Sequence, residues 1–441
     1  MSVTRIILAE YFTTVDGTLL FLVREDFPEP KVFEIKTSQE EVRQFVAHDF
    51  ARMKNYYEED IPDTWQSLFG PLIEPIISWS DEGDLIWLVP HDALHYLPLH
   101  ALKIEQDTRY LIERNPVCYT PSASVMSFCR AKRKNRRANA LVLGDSLHDL
   151  LYAYEEAFSV ASLFGTTPYV REQATKSRVK DILATSYEEL DVLHFSCHGL
   201  FDDQHPLQSG IRLAPESQNG DSADNASSWN LTAEEIFSLR LRADLVTLSA
   251  CDTGLNEQKP GDELIGLTRA LIYAGTPSVI VSLWTVDAFS TSLLMHYFYQ
   301  QLLAPIDEEH TQLITKAEAL QLAQLYVKNL TAQHVVDYCN QRLMEQSATI
   351  QREQALSFYM GRAYAQTIAG DLEVALSSYQ EIQNQLQTFT TPWAQQLNTE
   401  LQFTTLILQE KARTAVDRNY QAQPFKSIAH WAPFILVGDW K

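Results

Sequence analysis

Two apolar runs, "RIILAEYF" and "TLLFLVRED", open the chain on either side of Val15-Asp16-Gly17. That alternation around turn-forming residues predicts a β-hairpin over 4–25. Helical spacing follows around 38–58 and again through "WQSLFGPLIEPIISWS". "DLIWLVPHDALHYLPLHAL" reads as a strand stopped at Pro90, and "RYLIERNPVCYTP" holds another. From 140 to 300 the pattern alternates. "ANALVLGDS", "TPYVRE", "LDVLHFSCHG", "ADLVTLSACDTG" and "PSVIVSLW" read as strands, and amphipathic helical stretches separate them. Strands with near-continuous Val, Ile and Leu, each followed by a helix, predict a parallel sheet covered on both faces.

The polar tract 216–228, rich in Ser, Asn, Asp and Gly, predicts a surface loop. From 305 to about 425 the pattern is helical and rich in Gln and Ala. Within it, Gly361, Tyr364, Gly370, Ala375 and Tyr379 are spaced much as in a tetratricopeptide helix pair, with a turn about two residues longer than usual. The chain then returns to an apolar run, "HWAPFILVGDW". A lone terminal strand needs a sheet to join, so the helices before it are expected to be an insertion in the α/β unit. The basic stretch "RAKRKNRRAN" at 130–139 is expected to be an exposed linker.

Composition narrows the function classes. The chain has 441 residues, with 35 basic and 57 acidic side chains and a formal charge of −22. Nucleic acid and anionic membrane would favour a basic face, so neither is an expected partner. The first apolar run breaks at Glu10, too early for a signal peptide, and the apolar stretches fall short of a membrane span. Five scattered cysteines form neither a disulfide framework nor a CxxC pattern. The expected compartment is the reducing cytoplasm. GxGxxG, GxxxxGK[ST] and GxSxG are absent, so no nucleotide cofactor is implied.

Two strand patterns stop at reactive side chains: "LHFSCHGLF" at His198 and "LVTLSACDTG" at Cys251. In an open parallel sheet, functional groups collect at the carboxyl ends of strands, so these two can approach each other across its top. An imidazole near a thiol favours the nucleophilic thiolate, and the imidazolium can then protonate a leaving amine. Gly199 lets the backbone present its N–H to a developing oxyanion, with the N–H of Cys251 as the second donor. The bland alternative is a structural thiol and a hydrogen-bonded loop histidine. Cys197 must face the other side of its strand and reads as core. A zinc site from Cys197, His198 and His205 matches no familiar spacing, and His91, His95 and His100 read better as a turn with satisfied histidines than as a metal centre.

"HFSCHGLFDDQHPLQSGIRLA", "LVTLSACDTGLNEQKPGDELIGLTRALIYAGTPSVIVSLWTVDAFSTSLLMHYFY" and "HWAPFILVGDW" together resemble the CHAT domain family. These are caspase-like, separase-related cysteine peptidases that often occur with tetratricopeptide repeats. The upstream "LIWLVPHDALHYLPLHAL" and "RYLIERNPVCYTPSAS" are similar to the N-terminal half of that domain. The resemblance implies a caspase-like α/β fold, with a parallel sheet sandwiched by helices and an inserted, all-helical, TPR-like segment. It divides the chain into an N-terminal, pseudo-caspase-like half at 1–139, a catalytic part at 140–305, the helical insertion at 306–425 and a closing strand at 426–441. It assigns His198 and Cys251 as the dyad and Gly199 as the glycine after the histidine. Trp284–Asp287 match the loop that lines the substrate cleft in caspase-like folds. Two departures stand out: Gly261-Asp262-Glu263 where the family often has Gly-Glu-Gly, and the long insertion before the last strand.

The expected activity is that of a cysteine endopeptidase acting on a protein or peptide substrate through an acyl-enzyme, without metal or cofactor. Acidic groups near the cleft, Asp287 first and Asp252 next, suggest a basic residue before the scissile bond; equally, Asp287 would cap the helix beginning near Ser290. The helical insert is expected to be a regulatory or recruitment module that binds a partner protein. The alternative is a catalytically silent scaffold for protein–protein interaction.

Overall fold

A computed structural model describes residues 5–50, 64–104, 108–134, 136–186, 188–200, 205–216, 229–249, 263–305, 313–345, 352–412 and 417–441. Strands β1 (Ile6–Thr13), β2 (Thr18–Arg24) and β3 (Lys31–Ile35) form an antiparallel edge. The expected hairpin closes at Thr13 and Thr18. The remaining strands of the main sheet are β4 (Leu85–Val89), β5 (Val117–Tyr119), β6 (Ala140–Gly144), β7 (Tyr169–Val170), β8 (Val192–Ser196), β12 (Leu245–Leu248), β13 (Ser278–Ser282) and β14 (Phe434–Gly438). They build one 11-stranded sheet in the order β3-β2-β1-β4-β5-β14-β13-β12-β8-β6-β7. From β13 to β7 the neighbours are parallel, as the buried Val/Ile/Leu runs of 140–300 require. A small sheet of β9 (Gly199–Leu200), β10 (Gly210–Arg212) and β11 (Asn230–Thr232) lies beyond the end of β8.

All five residues of β14 are buried, which explains its place in the middle of the sheet. It runs antiparallel to β13 and parallel to β5, and so joins the strands before residue 120 to those after 140. Helices α1 (Ala123–Lys132), α2 (Leu151–Leu163), α3 (Lys176–Ser186), α4 (Glu263–Ala274) and α5 (Ala288–Leu302) accompany the sheet. Of these, α2 packs on β6, β8 and α5, and α4 packs on β13.

The helical segment between α5 and residue 412 includes α6 (Lys316–Asn329), α7 (Ala332–Glu345), α8 (Arg352–Ile368), α9 (Leu372–Leu386) and α10 (Pro392–Lys411), and a short helix, Ile428–Trp431, leads into β14. α6 lies along α5, whereas α7 to α10 each pack on the next, with α8 also touching α2. Two cores meet at α8: Phe358 and Ala365 belong to the core of the sheet, while Leu356 and Ala363 belong to a second core with α9 and α10. Gly361 permits this close seating, because a Cβ there would lie 2.3 Å from Cζ of Phe289 on α5.

Much of the basic stretch at 130–139 is exposed, as expected of a linker, but Arg133, Lys134 and Arg136 are tied to buried carboxylates. Arg133 donates to Asp439 at 2.6 Å, Arg136 to Asp191 at 2.9 Å, and the Lys134 N–H to Asp244 at 2.8 Å. Those three carboxylates are buried and lie just before β8, just before β12 and just after β14, at one end of these central strands. Buried carboxylates need countercharge. The basic run covers this end of the strands together with Lys316, whose buried ammonium sits 2.7 Å from Asp244.

Candidate functional site

β8 and β12 are parallel neighbours, with Phe195 level with Leu248. Along the sequence, His198 follows that rung by three residues after β8, and Cys251 follows it by three after β12. Cys251 and Asp252 fall outside the described residues. The His198 side chain is largely buried, and its Nε2 is 2.9 Å from Oδ1 of Asp149. Its own carbonyl accepts the Arg212 N–H at 2.9 Å. That bond makes Gly199 and Ile211 a non-hydrogen-bonded antiparallel pair, so the Gly199 N–H points away from β10. An imidazole oriented by a carboxylate, beside a backbone N–H turned out of its ladder, is suited to moving a proton next to a developing oxyanion.

Asp149 is presented by the turn between β6 and α2. β6 pairs with β8, with Gly144 level with Ser196, so the turn emerges beside His198. Asp145 begins the turn with φ +47, and its buried Oδ1 accepts the N–H groups of Asp149 at 2.9 Å and Leu150 at 2.8 Å. Burial pushes the Asp145 carboxyl up, against the pull of those bonds and of Arg171. Arg171 reaches Oδ2 of Asp145 at 3.2 Å and also pairs with Glu353 of α8. His148 lies 3.5 Å from the same Glu353. Asp145, His148 and Arg171 are all non-glycine residues at positive φ, at +47, +61 and +55. Such strain persists only where the surroundings over-determine it, and it gathers at functional sites.

The other residues singled out from sequence take varied places. Cys197 is buried, and burial pushes its thiol up to about 12. Cys118, Cys129 and Cys339 are also buried and likewise raised, so none of these four thiols is poised as a nucleophile. Trp284 is buried, and its Nε1 donates to the Ala429 carbonyl at 3.3 Å. Asp287 caps α5 by accepting the Ser290 N–H at 2.7 Å, while its carboxylate remains 35% exposed. His91 bonds Thr13 Oγ1 at 2.8 Å. His100 is buried against the Tyr119 hydroxyl at 2.9 Å, and desolvation pushes its imidazole down to about 3. Among the described residues, no group of three or more His, Cys, Asp or Glu could hold a metal ion. No described helix is long and apolar enough to cross a membrane.

Sequence reasoning missed Asp149. Its local signal is slight, an acidic residue in "LGDSLHDLL" just past a strand. It becomes meaningful only because β6 is the sheet neighbour of β8.

A mixed central sheet flanked by helices, with the histidine at a strand tip, defines an α/β protein of the caspase-like kind. The model of the CHAT domain matches residues 63–439, and the chain belongs to that family. It is also similar to tetratricopeptide repeat protein 28, with 26% identity over 260 residues to the Mus musculus protein and 27% over 260 residues to the Homo sapiens protein. Each match covers 49% of this chain and 10% of the relative, so the chain aligns with a small part of those proteins.

Proposed function

We propose that this chain is a cysteine endopeptidase. Cys251 is the nucleophile, His198 the general base and then the general acid, and Asp149 the residue that orients His198. In the first step His198 takes the thiol proton, Cys251 Sγ bonds to the scissile carbonyl carbon, and the oxygen becomes an oxyanion facing the N–H groups of Gly199 and Cys251. Collapse breaks the C–N bond as His198 returns the proton to the amine. Water, deprotonated by His198, then hydrolyses the thioester.

The observation that carries this reading is the level pairing of Phe195 with Leu248, which starts both strand tips from one rung. The Asp149–His198 contact supports it, since a structural loop histidine needs no carboxylate aimed at its ring. Asp252, Trp284 and Asp287 are the proposed substrate residues, with a preference for a basic side chain before the scissile bond. The helical insert is proposed to recruit or regulate through a partner protein.

The test is labelling by a peptidyl acyloxymethyl ketone carrying Arg, read by mass spectrometry. Label should fall on Cys251 well ahead of the four buried thiols and disappear in His198→Ala. Cys251→Ala and His198→Ala should each abolish peptide cleavage, and the double variant should be little worse than either. Cleavage surviving in Cys251→Ala would refute the mechanism. A chain that neither labels nor cuts would be a scaffold.

A further inference from the structure

A cavity of about 590 Å³ opens between the turn at 147–152 and the helical insert. The turn supplies one wall, including Asp149, and Ala288 at the start of α5 lies beside it. Met360 of α8 and Trp393, Leu397 and Glu400 of α10 supply the other wall. Asp149, which also bonds His198, is one of the lining residues.

Three independent features suit this cavity to a ligand. Its strained wall is held in place by the insert: Glu353 of α8 ties down Arg171 and His148, and Arg171 in turn fixes Asp145. At the head of α10, the buried Nε1 of Trp393 and Oγ1 of Thr391 have no hydrogen-bond partner among the described residues. Buried polar atoms of this kind are ordinarily satisfied, and an N–H and a hydroxyl match the polar groups of a peptide backbone. The charge of the lining is one-sided, with carboxylates from Asp149 and Glu400 and neither Lys nor Arg among the lining residues. His148, which also lines it, has its basicity lowered by burial and by Arg171.

We propose that this groove takes an extended segment of the protein substrate carrying an arginine or lysine, outside the residue at the scissile bond. The cation lies against Glu400, its aliphatic stem crosses the Trp393 ring, and the Trp393 N–H donates to a substrate carbonyl. The insert thereby acts in recognition as one wall of the cleft. The description of the bound segment as substrate rests on the peptidase reading, whereas the chemistry of the groove does not.

The experiment uses the full chain as Cys251→Ala and pools of fluorescein-labelled decapeptides, randomised except for one central Arg or Gln. Fluorescence anisotropy reads binding at physiological salt. The Arg pool should bind about tenfold more tightly than the Gln pool, as expected for one charge-assisted contact. Glu400 is exposed, so Glu400→Gln keeps the fold and should equalise the two pools. Trp393→Phe keeps a ring but removes the donor, and should weaken both pools several-fold. Equal affinity of the two pools, binding by neither, or an Arg advantage that survives Glu400→Gln would overturn the proposal. Cleavage of the same pools by the unmodified chain separates the two readings. An Arg preference in binding without any cleavage removes the peptidase and keeps the groove. Cleavage indifferent to Glu400 removes the groove and keeps the peptidase.

Discussion

Replacing Gly361 by alanine sets two opposed effects against each other, and the sign of the result decides how the helical insert is seated. In an isolated helix, alanine in place of an interior glycine stabilises by about 1 kcal/mol. In this chain the added methyl would lie 2.3 Å from Cζ, 2.7 Å from Cε2 and 2.8 Å from Cε1 of Phe289. An ordinary carbon–carbon contact is about 3.5–4.0 Å, so the ring or the helix must move by more than about 1 Å. Phe289 is 6% exposed and is packed between Tyr152, at a centroid distance of 5.2 Å, and Phe425 at 5.9 Å. With the ring so confined, overpacking costs about 3 kcal/mol and outweighs the helix gain, leaving a net loss of about 2 kcal/mol. The assay is urea denaturation followed by far-ultraviolet circular dichroism, with limited proteolysis reporting on α8. Phe289→Leu frees space beneath the glycine, so Gly361→Ala should cost far less in that background, a coupling of about 1–2 kcal/mol. A Gly361→Ala chain more stable than the parent would refute this seating of α8 on α5.

Three further outcomes follow from the same structure. Asp149→Asn should lower kcat/KM for peptide cleavage about 5- to 30-fold with little change in unfolding midpoint, since a charge-assisted bond is worth about 1–2 kcal/mol at a half-exposed carboxylate; an unchanged kcat/KM would remove Asp149 from the site. Lys316→Ala should destabilise by about 3 kcal/mol in denaturant titrations, because its wholly buried ammonium is the nearest countercharge to Asp244. Burial raises the Glu155 carboxyl from 4.5 to about 7, so the folded chain binds this proton more tightly than the unfolded chain does. The stability it contributes is full below about pH 4.5 and is lost as pH rises through about 7, a change of about 3 kcal/mol. His296, lowered to about 4 by burial, works in the opposite direction, so the measurement is the difference in stability between the parent and Glu155→Gln from pH 5 to 8. That difference should move steadily in favour of Glu155→Gln as pH rises, and a flat difference would contradict the assignment.

The local pattern of residues carried much of the fold. Continuous Val/Ile/Leu strands separated by amphipathic helices between 140 and 300 leave a parallel, doubly covered sheet as the way to bury both faces. The hairpin at Val15–Gly17 and the helical character of the stretch before "FILVGDW" were legible for the same reason, because backbone propensity and periodicity act over a few residues. Charge-bearing segments were not legible in this way. The ties of Arg133, Lys134 and Arg136 were hidden because their partners, Asp439, Asp244 and Asp191, are brought to one end of the central strands only by the strand order. His198 was visible from its place after an apolar run, but Asp149 was not, since its role depends on β6 lying beside β8. The groove at α10 lies a step further from the sequence. It exists only because α8, seated through Gly361 and Glu353, brings Trp393 and Glu400 opposite the turn at 147–152. Elements follow from short-range sterics and burial, whereas a site follows from which elements become neighbours, and that was decided by packing between residues as much as two hundred and fifty positions apart.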